Sequence, residues 1–178
     1  FGYFCEKCLQ GRDSLPSPIK LAGASLELDG NPLPLIFVSS RQINAIVPFL
    51  TGPGRHGLVF KMDGVPASDP VEVEFVPANP AVFSVDSSGF GEGHLYKTDY
   101  TRVTASNPAR TGDTLVMYVS GLGDVDGEVI TGDAAPLSEL RRTKGKVTVR
   151  VGDDEAEVLF AGLTPGSTSL YQVNFTVR

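Results

Sequence analysis

Residues 24–37 read ASLELDGNPLPLIF and residues 147–160 read VTVRVGDDEAEVLF, and the two stretches align residue for residue at an offset of 123, Leu28 on Val151 and Phe37 on Phe160. In the second stretch Val147, Val149 and Val151 alternate with Thr148 and Arg150, the period of a β-strand with one buried face. Ala156, Val158 and Phe160 repeat that alternation on a returning strand, with Glu155 and Glu157 outward. Gly152-Asp153-Asp154 makes the turn between them, as Asp29-Gly30-Asn31 does in the first stretch, because glycine reaches positive φ at no steric cost. Each stretch is therefore predicted to be a hairpin. Pairing of Lys146 and Arg150 with Glu155 and Glu157 across it, at about 0.2–1 kcal/mol per contact, accounts for those charges without a ligand.

The likeness extends beyond the hairpins. Each is followed by a second shared pattern, Gln42-Ile43-Asn44-Ala45-Ile46-Val47 and Gln172-Val173-Asn174-Phe175-Thr176-Val177, now at an offset of 130. Two matches in the same order imply one structural unit written twice. Further strands are expected at 58–62, 71–75 and 114–119, with proline or glycine in nearly every gap, and the only helical candidate, 138–142, is too short to build a layer. Short, regularly spaced strands with such turns point to an all-β chain of two tandem antiparallel immunoglobulin-like β-sandwiches. The expected organisation is an N-terminal segment at 1–18, a first domain at 19–78 and a second at 79–178. The proline-bearing stretch Pro77-Ala78-Asn79-Pro80-Ala81 stiffens the junction.

The 178 residues suffice for two small domains. A net charge of −6 opposes binding to phosphate backbones, whose affinity comes from clustered lysine and arginine, so nucleic acid is set aside. No stretch approaches the roughly 20 apolar residues of a transmembrane helix. The chain begins at Phe1 without an initiator methionine or leader, as expected of a processed secreted chain or a fragment. Its two cysteines form Cys5-Glu6-Lys7-Cys8, a spacing that closes a small disulfide, forms a redox couple or supplies half a zinc site. The other zinc ligands are missing, Leu9 breaks the haem-attachment pattern, and no βαβ setting supports thioredoxin-like chemistry. A Cys5–Cys8 disulfide and intermolecular or free thiols stay open.

No pattern for a catalytic nucleophile, a zinc protease or a phosphate loop occurs. His56 and His94 are the only histidines, and sequence nominates no partner for either, so no catalytic residue is assigned. Asp124, Asp126 and Glu128, with Asp133 nearby, form the metal candidate, since calcium takes oxygen ligands at alternating positions of a glycine-containing loop. The EF-hand spacing is not met, and a solvated acidic loop explains the same residues. Otherwise no cofactor is expected. The basic run Arg141, Arg142, Lys144 and Lys146 suits an anionic polymer or a sugar, or is a solvated loop. Asn174-Phe175-Thr176 fits the N-glycosylation pattern. Asn44 at the equivalent position does not, which favours a structural role for both asparagines.

Residues 26–47, 77–83 (PANPAVF), 106–123 (SNPARTGDTLVMYVSGLG), 131–136 (TGDAAP) and 160–177 (FAGLTPGSTSLYQVNFTV) together resemble the acidobacterial, Solibacter-type C-terminal domain family. The resemblance covers nearly everything after about residue 14. It implies tandem immunoglobulin-like or IPT/TIG-like modules of secreted or surface bacterial proteins, with no catalytic residues and no established ligand. Family members continue past the QVN strand with two further strands, as the first copy does over 56–76, whereas the second copy stops at Arg178. Members also enter the first domain through a strand like 112–118, which would be ending where this chain starts.

On that reading both sandwiches are incomplete, and unpaired strand edges invite another chain. Donor-strand addition would close them, and a head-to-tail contact that does not close into a ring propagates as a filament. Phe1, Tyr3 and Phe4 are then expected to donate a strand, and Tyr171, Val173, Phe175 and Val177 to line the accepting edge. The expected function is a non-enzymatic, extracellular or cell-surface structural subunit, whose partners are copies of itself or neighbouring domains. The alternative is a monomeric adhesion or carbohydrate-binding module at the end of a larger secreted protein, with a glycan as its ligand.

Overall fold

The computed structural model of the chain describes residues 9–178. Among these residues there is no helix; all regular structure is β, in antiparallel sheets. The helical candidate at 138–142 is irregular, and Arg142 instead bridges to Gly162. The chain forms two compact units. The first runs to Pro77 and includes Val129–Ala134; the second is Ala78–Glu128 with Ala135–Arg178. Inside the first unit the Ser17 N–H donates to the Gly132 carbonyl at 2.8 Å, and a side chain at Gly132 would press on Pro34.

Unit 1 contains β1 (Leu9–Gly11), β2 (Ala24–Leu28), β3 (Asn31–Pro32), β4 (Leu35–Ser39), β5 (Ile43–Ala45), β6 (Gly54–Met62), β7 (Val65–Pro66) and β8 (Val71–Phe75). The β2–β3 turn is Asp29-Gly30, both at positive φ, the two-residue geometry whose twist matches the flanking strands. One sheet runs β1-β4-β5; the other runs β3-β2-β6-β7, with β8 also on β6. Leu35 and Val38 of β4 pack with Ala24 of β2, Phe60 of β6 and Leu21, while Leu26, Ile43, Ala45 and Met62 close the margin. The core thus lies between two sheets, as in a sandwich.

Unit 2 contains β9 (Ala81–Val82), β10 (Leu95–Lys97), β11 (Thr114–Ser120), β12 (Val149–Val151), β13 (Asp154–Leu163) and β14 (Tyr171–Thr176). They form one sheet in the order β10-β11-β14-β13-β12, with β9 also on β11. Its core face carries Leu115 and Val119 of β11, Ala161 and Leu163 of β13, and Tyr171, Val173 and Phe175 of β14; Phe160, beyond the bulge, shares the opposite face with its partner Asn174 and is buried there beneath Arg142, not on the face of Val158 as its alternation predicted. Arg150 faces Glu155 in the β12–β13 ladder, but its guanidinium bonds the Asp153 carbonyl rather than that carboxylate. Val151, expected inside, is 42 % exposed.

The sequence repeat is a structural repeat. Leu35 pairs with Ala45, Phe37 with Asn44 and Val38 with Ile43; at the equivalent positions Val158 pairs with Phe175, Phe160 with Asn174 and Ala161 with Val173. The register slips between Leu35 and Phe37 in one copy and between Val158 and Phe160 in the other. A β-bulge conserved between two copies of a unit is a designed feature of the strand pair, since it re-aims every side chain beyond it. Gln42 Nε2 donates to Asn44 Oδ1 at 2.7 Å, and Gln172 Nε2 donates to Asn174 Oδ1 at 3.2 Å. The amides of the shared pattern therefore bond each other along the outer face of the strand.

Candidate functional site

Phe1, Tyr3, Phe4, Cys5 and Cys8 lie outside the described residues. Tyr171, Val173, Phe175 and Val177 correct the expectation that placed them on an accepting edge. Their strand is interior: β14 is hydrogen-bonded by β11 on one side and β13 on the other. Their side chains are covered by the chain itself, Val173 at 0 % and Phe175 at 1 % exposed. The alternation that suggested an edge lining a groove is that of a mid-sheet strand facing a closed core. The Tyr171 hydroxyl donates to the Gly123 carbonyl at 2.5 Å, and burial, with Asp124 nearby, pushes the phenol up to about 12.

Asp124, Asp126 and Glu128 meet the basic run rather than one another. Lys144 Nζ lies 3.8 Å from Asp124 Oδ2, and the Lys144 N–H donates to the Asp124 carbonyl at 2.8 Å. Asp126 Oδ1 accepts the Arg142 N–H at 2.7 Å, and the Glu128 carbonyl accepts Arg141 Nε at 3.1 Å. With Val125 bridged to Thr143, the acidic loop and the basic run form two sides of one irregular ladder. That pairing gives both charged runs a structural reason that sequence, taking each run alone, did not supply. Among the described residues no group of three or more His, Cys, Asp and Glu side chains could hold a metal ion. On the β13 side, Arg142 lies over the Phe160 ring at 5.0 Å. Gly162 admits the 141–143 backbone, because a Cβ there would collide with the Arg141 carbonyl oxygen at 2.0 Å.

His56 sits at the β2–β3 turn. Its Nδ1 is 2.6 Å from Asp29 Oδ2 and its Nε2 is 2.9 Å from the Gly52 carbonyl, while Asp29 Oδ1 accepts the Gly57 N–H at 2.7 Å. The hydrogen bond to Asp29 raises the His56 pKa, and the same bond lowers that of Asp29. The imidazole ties the turn to the loop that follows β5. His94 Nδ1 is 3.0 Å from the Tyr96 hydroxyl, and the Tyr96 ring meets Tyr118 edge-on at 5.8 Å. Tyr118 stands opposite Gln172, and Val116 opposite Asn174. One outer sheet face of unit 2 thus combines half-buried aromatic rings with the Gln172–Asn174 amide pair, an arrangement that sequence spacing did not reveal because its members come from β10, β11 and β14.

These features define an all-β chain of sandwich-like character, whose polar side chains are largely tied into turns, ladders and loop clamps. Comparison with protein-family models, curated proteins and solved structures finds no significant match.

Proposed function

We propose that this chain is a non-enzymatic structural module of the bacterial cell surface, built from two tandem immunoglobulin-like β-sandwiches of the Solibacter-type C-terminal family. In this reading it assembles head to tail by strand addition. The observation that carries it is the repeat of register, bulge and Gln–Asn amide bond in both units. A module duplicated in such detail serves repetition and spacing, the property a surface assembly uses. The surface location rests on the family resemblance. The donor remains the segment bearing Phe1, Tyr3 and Phe4; the acceptor is not β14.

Sedimentation velocity at rising concentration, with negative-stain electron microscopy, tests the reading. Head-to-tail polymers that disappear when residues 1–4 are removed are the expected result, and a chain monomeric at every concentration would sink it. The outer face bearing His94, Tyr96, Tyr118, Gln172 and Asn174 favours a second reading, a glycan-binding module, since aromatic rings beside amides suit a sugar's apolar face and hydroxyl rim. That reading requires an isolated monomer to be retained on a glycan array and released by Tyr118→Ala.

A further inference from the structure

One histidine of unit 1 stands between two groups that can only accept a hydrogen bond. His56 lies on β6, with Val73 of β8 opposite and the Phe75 ring 5.1 Å away, and its side chain is 18 % exposed. Nδ1 is 2.6 Å from Asp29 Oδ2, on the turn between β2 and β3, and Nε2 is 2.9 Å from the Gly52 carbonyl, in the loop that joins β5 to β6. A carboxylate and a peptide carbonyl offer lone pairs and no proton, so both ring nitrogens must carry hydrogen for both bonds to exist. That is the imidazolium form. The neutral ring has one N–H and satisfies one of the two partners.

The geometry also decides which partner is lost. Asp29 is held as a carboxylate, since Oδ1 accepts the Gly57 N–H at 2.7 Å while Oδ2 faces the ring, and the two bonds, that of His56 first, lower its pKa. A charged acceptor holds a proton in a shorter and stronger bond than a neutral carbonyl does. When the ring loses one proton, Nδ1 therefore keeps its hydrogen and Nε2 turns a lone pair toward the Gly52 oxygen. Among the described residues Asp29 is the one charged group that acts on the ring. Arg55 and Glu72 pair with each other at 3.3 Å, and with Glu74 they occupy positions of β6 and β8 that alternate with His56 and Val73. On β2, Glu27 is taken by Lys61 at 2.7 Å, and residues 48–53 carry no charge. The Thr51 N–H donates to the Pro48 carbonyl at 3.0 Å, a bond local to the loop, whereas the Nε2 contact ties the loop to β6 and to the turn.

We propose that His56 is a proton-operated latch: the imidazolium pins the 48–53 loop to the β2–β3 turn, and the neutral ring releases the loop while keeping the turn. The latch works within a single chain and does not depend on the assembly reading above. Asp29 first, and the Gly52 carbonyl second, raise the ring's pKa above its ordinary 6.5, and that direction fixes the sign. The latch is closed below pH 6.5 and opens as pH rises through the raised value. What opens is the end of unit 1 where the chain crosses from the sheet of β4 and β5 to that of β2 and β6.

Nitrogen-15 NMR of the full chain between about pH 5 and 9, the range in which a histidine titrates, tests the latch. At the acid end both ring nitrogens are expected to be protonated; above the transition Nδ1 should keep its proton and Nε2 alone should lose it. Over the same transition the amide order parameters of Leu50, Thr51 and Gly52 should fall from about 0.85 to below about 0.6, the values of rigid and flexible backbone, while those of Gly57 and Leu58 stay high. His56→Gln puts an N–H that does not titrate near the place of Nε2 and should keep the loop rigid at every pH; His56→Asn puts one near Nδ1 and should leave the loop mobile at every pH. Asp29→Asn, at a backbone φ of 50° that asparagine tolerates, removes the charge and should move the transition to lower pH. A loop equally rigid or equally mobile on both sides of the ring's transition overturns the proposal. So does a neutral ring that keeps its proton on Nε2, or a ring already neutral at pH 6.5. If a variant unfolds, the titration of the unaltered chain decides.

Discussion

β5 and β14 are two copies of one strand in two settings. They share a register, a bulge and a Gln–Asn amide bond, yet among the described residues β14 lies between two neighbouring strands and β5 has one. The pairing partner, rather than the strand's own sequence, decides whether Val47 and Val177 are surface or core. It also lets the copies diverge where they face it, because a position at the margin tolerates the small Ala45 while the closed position is filled by Phe175.

The comparison breaks most visibly under truncation. Phe175→Ala empties a side chain that is 1 % exposed and should cost unit 2 about 3–5 kcal/mol in chemical denaturation; the same volume is already missing at Ala45 without loss of the unit-1 core. A loss in unit 2 below about 1 kcal/mol would mean that β14 is as loosely covered as β5. Gly162→Ala comes next. The equivalent residue in unit 1 is Ser39, which pairs with Leu9 and carries a side chain, whereas Gly162 is pressed by the Arg141 carbonyl. The substitution should cost about 1–3 kcal/mol by displacing the 141–143 backbone, visible as faster amide exchange at Thr143 and Leu163, whereas Ser39→Ala should be close to neutral.

Tyr171→Phe keeps the ring and leaves the Gly123 carbonyl without its donor, an expected loss of about 1 kcal/mol. The phenol's pKa is raised from 10.0 to about 12, so the folded state favours the neutral form. Unit 2 should hold its stability below pH 10 and lose it progressively between pH 10 and about 12, a decline that Tyr171→Phe reduces. The smallest effect concerns unit 1. His56 is raised above its ordinary 6.5 and Asp29 lowered below 3.8. The His56 contribution is complete below pH 6.5 and fades as pH rises through the raised value; that of Asp29 is present above pH 3.8 and fades as pH falls. A thermal melt of unit 1 should therefore be best between those limits, and His56→Gln should flatten its alkaline side. An unchanged profile would mean that the clamp on the Gly52 loop carries no weight.

The hairpins were legible because alternation in 147–160 and the Asp29-Gly30 turn are local facts, fixed by the geometry of a strand and by glycine's freedom at positive φ. So was the repeat, whose offsets of 123 and 130 reappear as paired registers. The edge assigned to Tyr171, Val173, Phe175 and Val177 was not legible, because alternation reports which face a side chain takes and says nothing of what pairs with the backbone on either side. The acidic and basic runs at 124–128 and 141–146 each read as a solvated loop or ligand site; only folding made them partners, by bringing Val125 against Thr143.

Sequence by itself determined the all-β class, the turns and the duplicated hairpin, since these follow from periodicities within a few residues; it did not place Val151, which is exposed, or Phe160, which the bulge turns to the other face. Tertiary structure alone decided that Thr114–Ser120 covers β14 on one side and Asp154–Leu163 on the other, because strand neighbours are chosen by long-range pairing that no local pattern encodes.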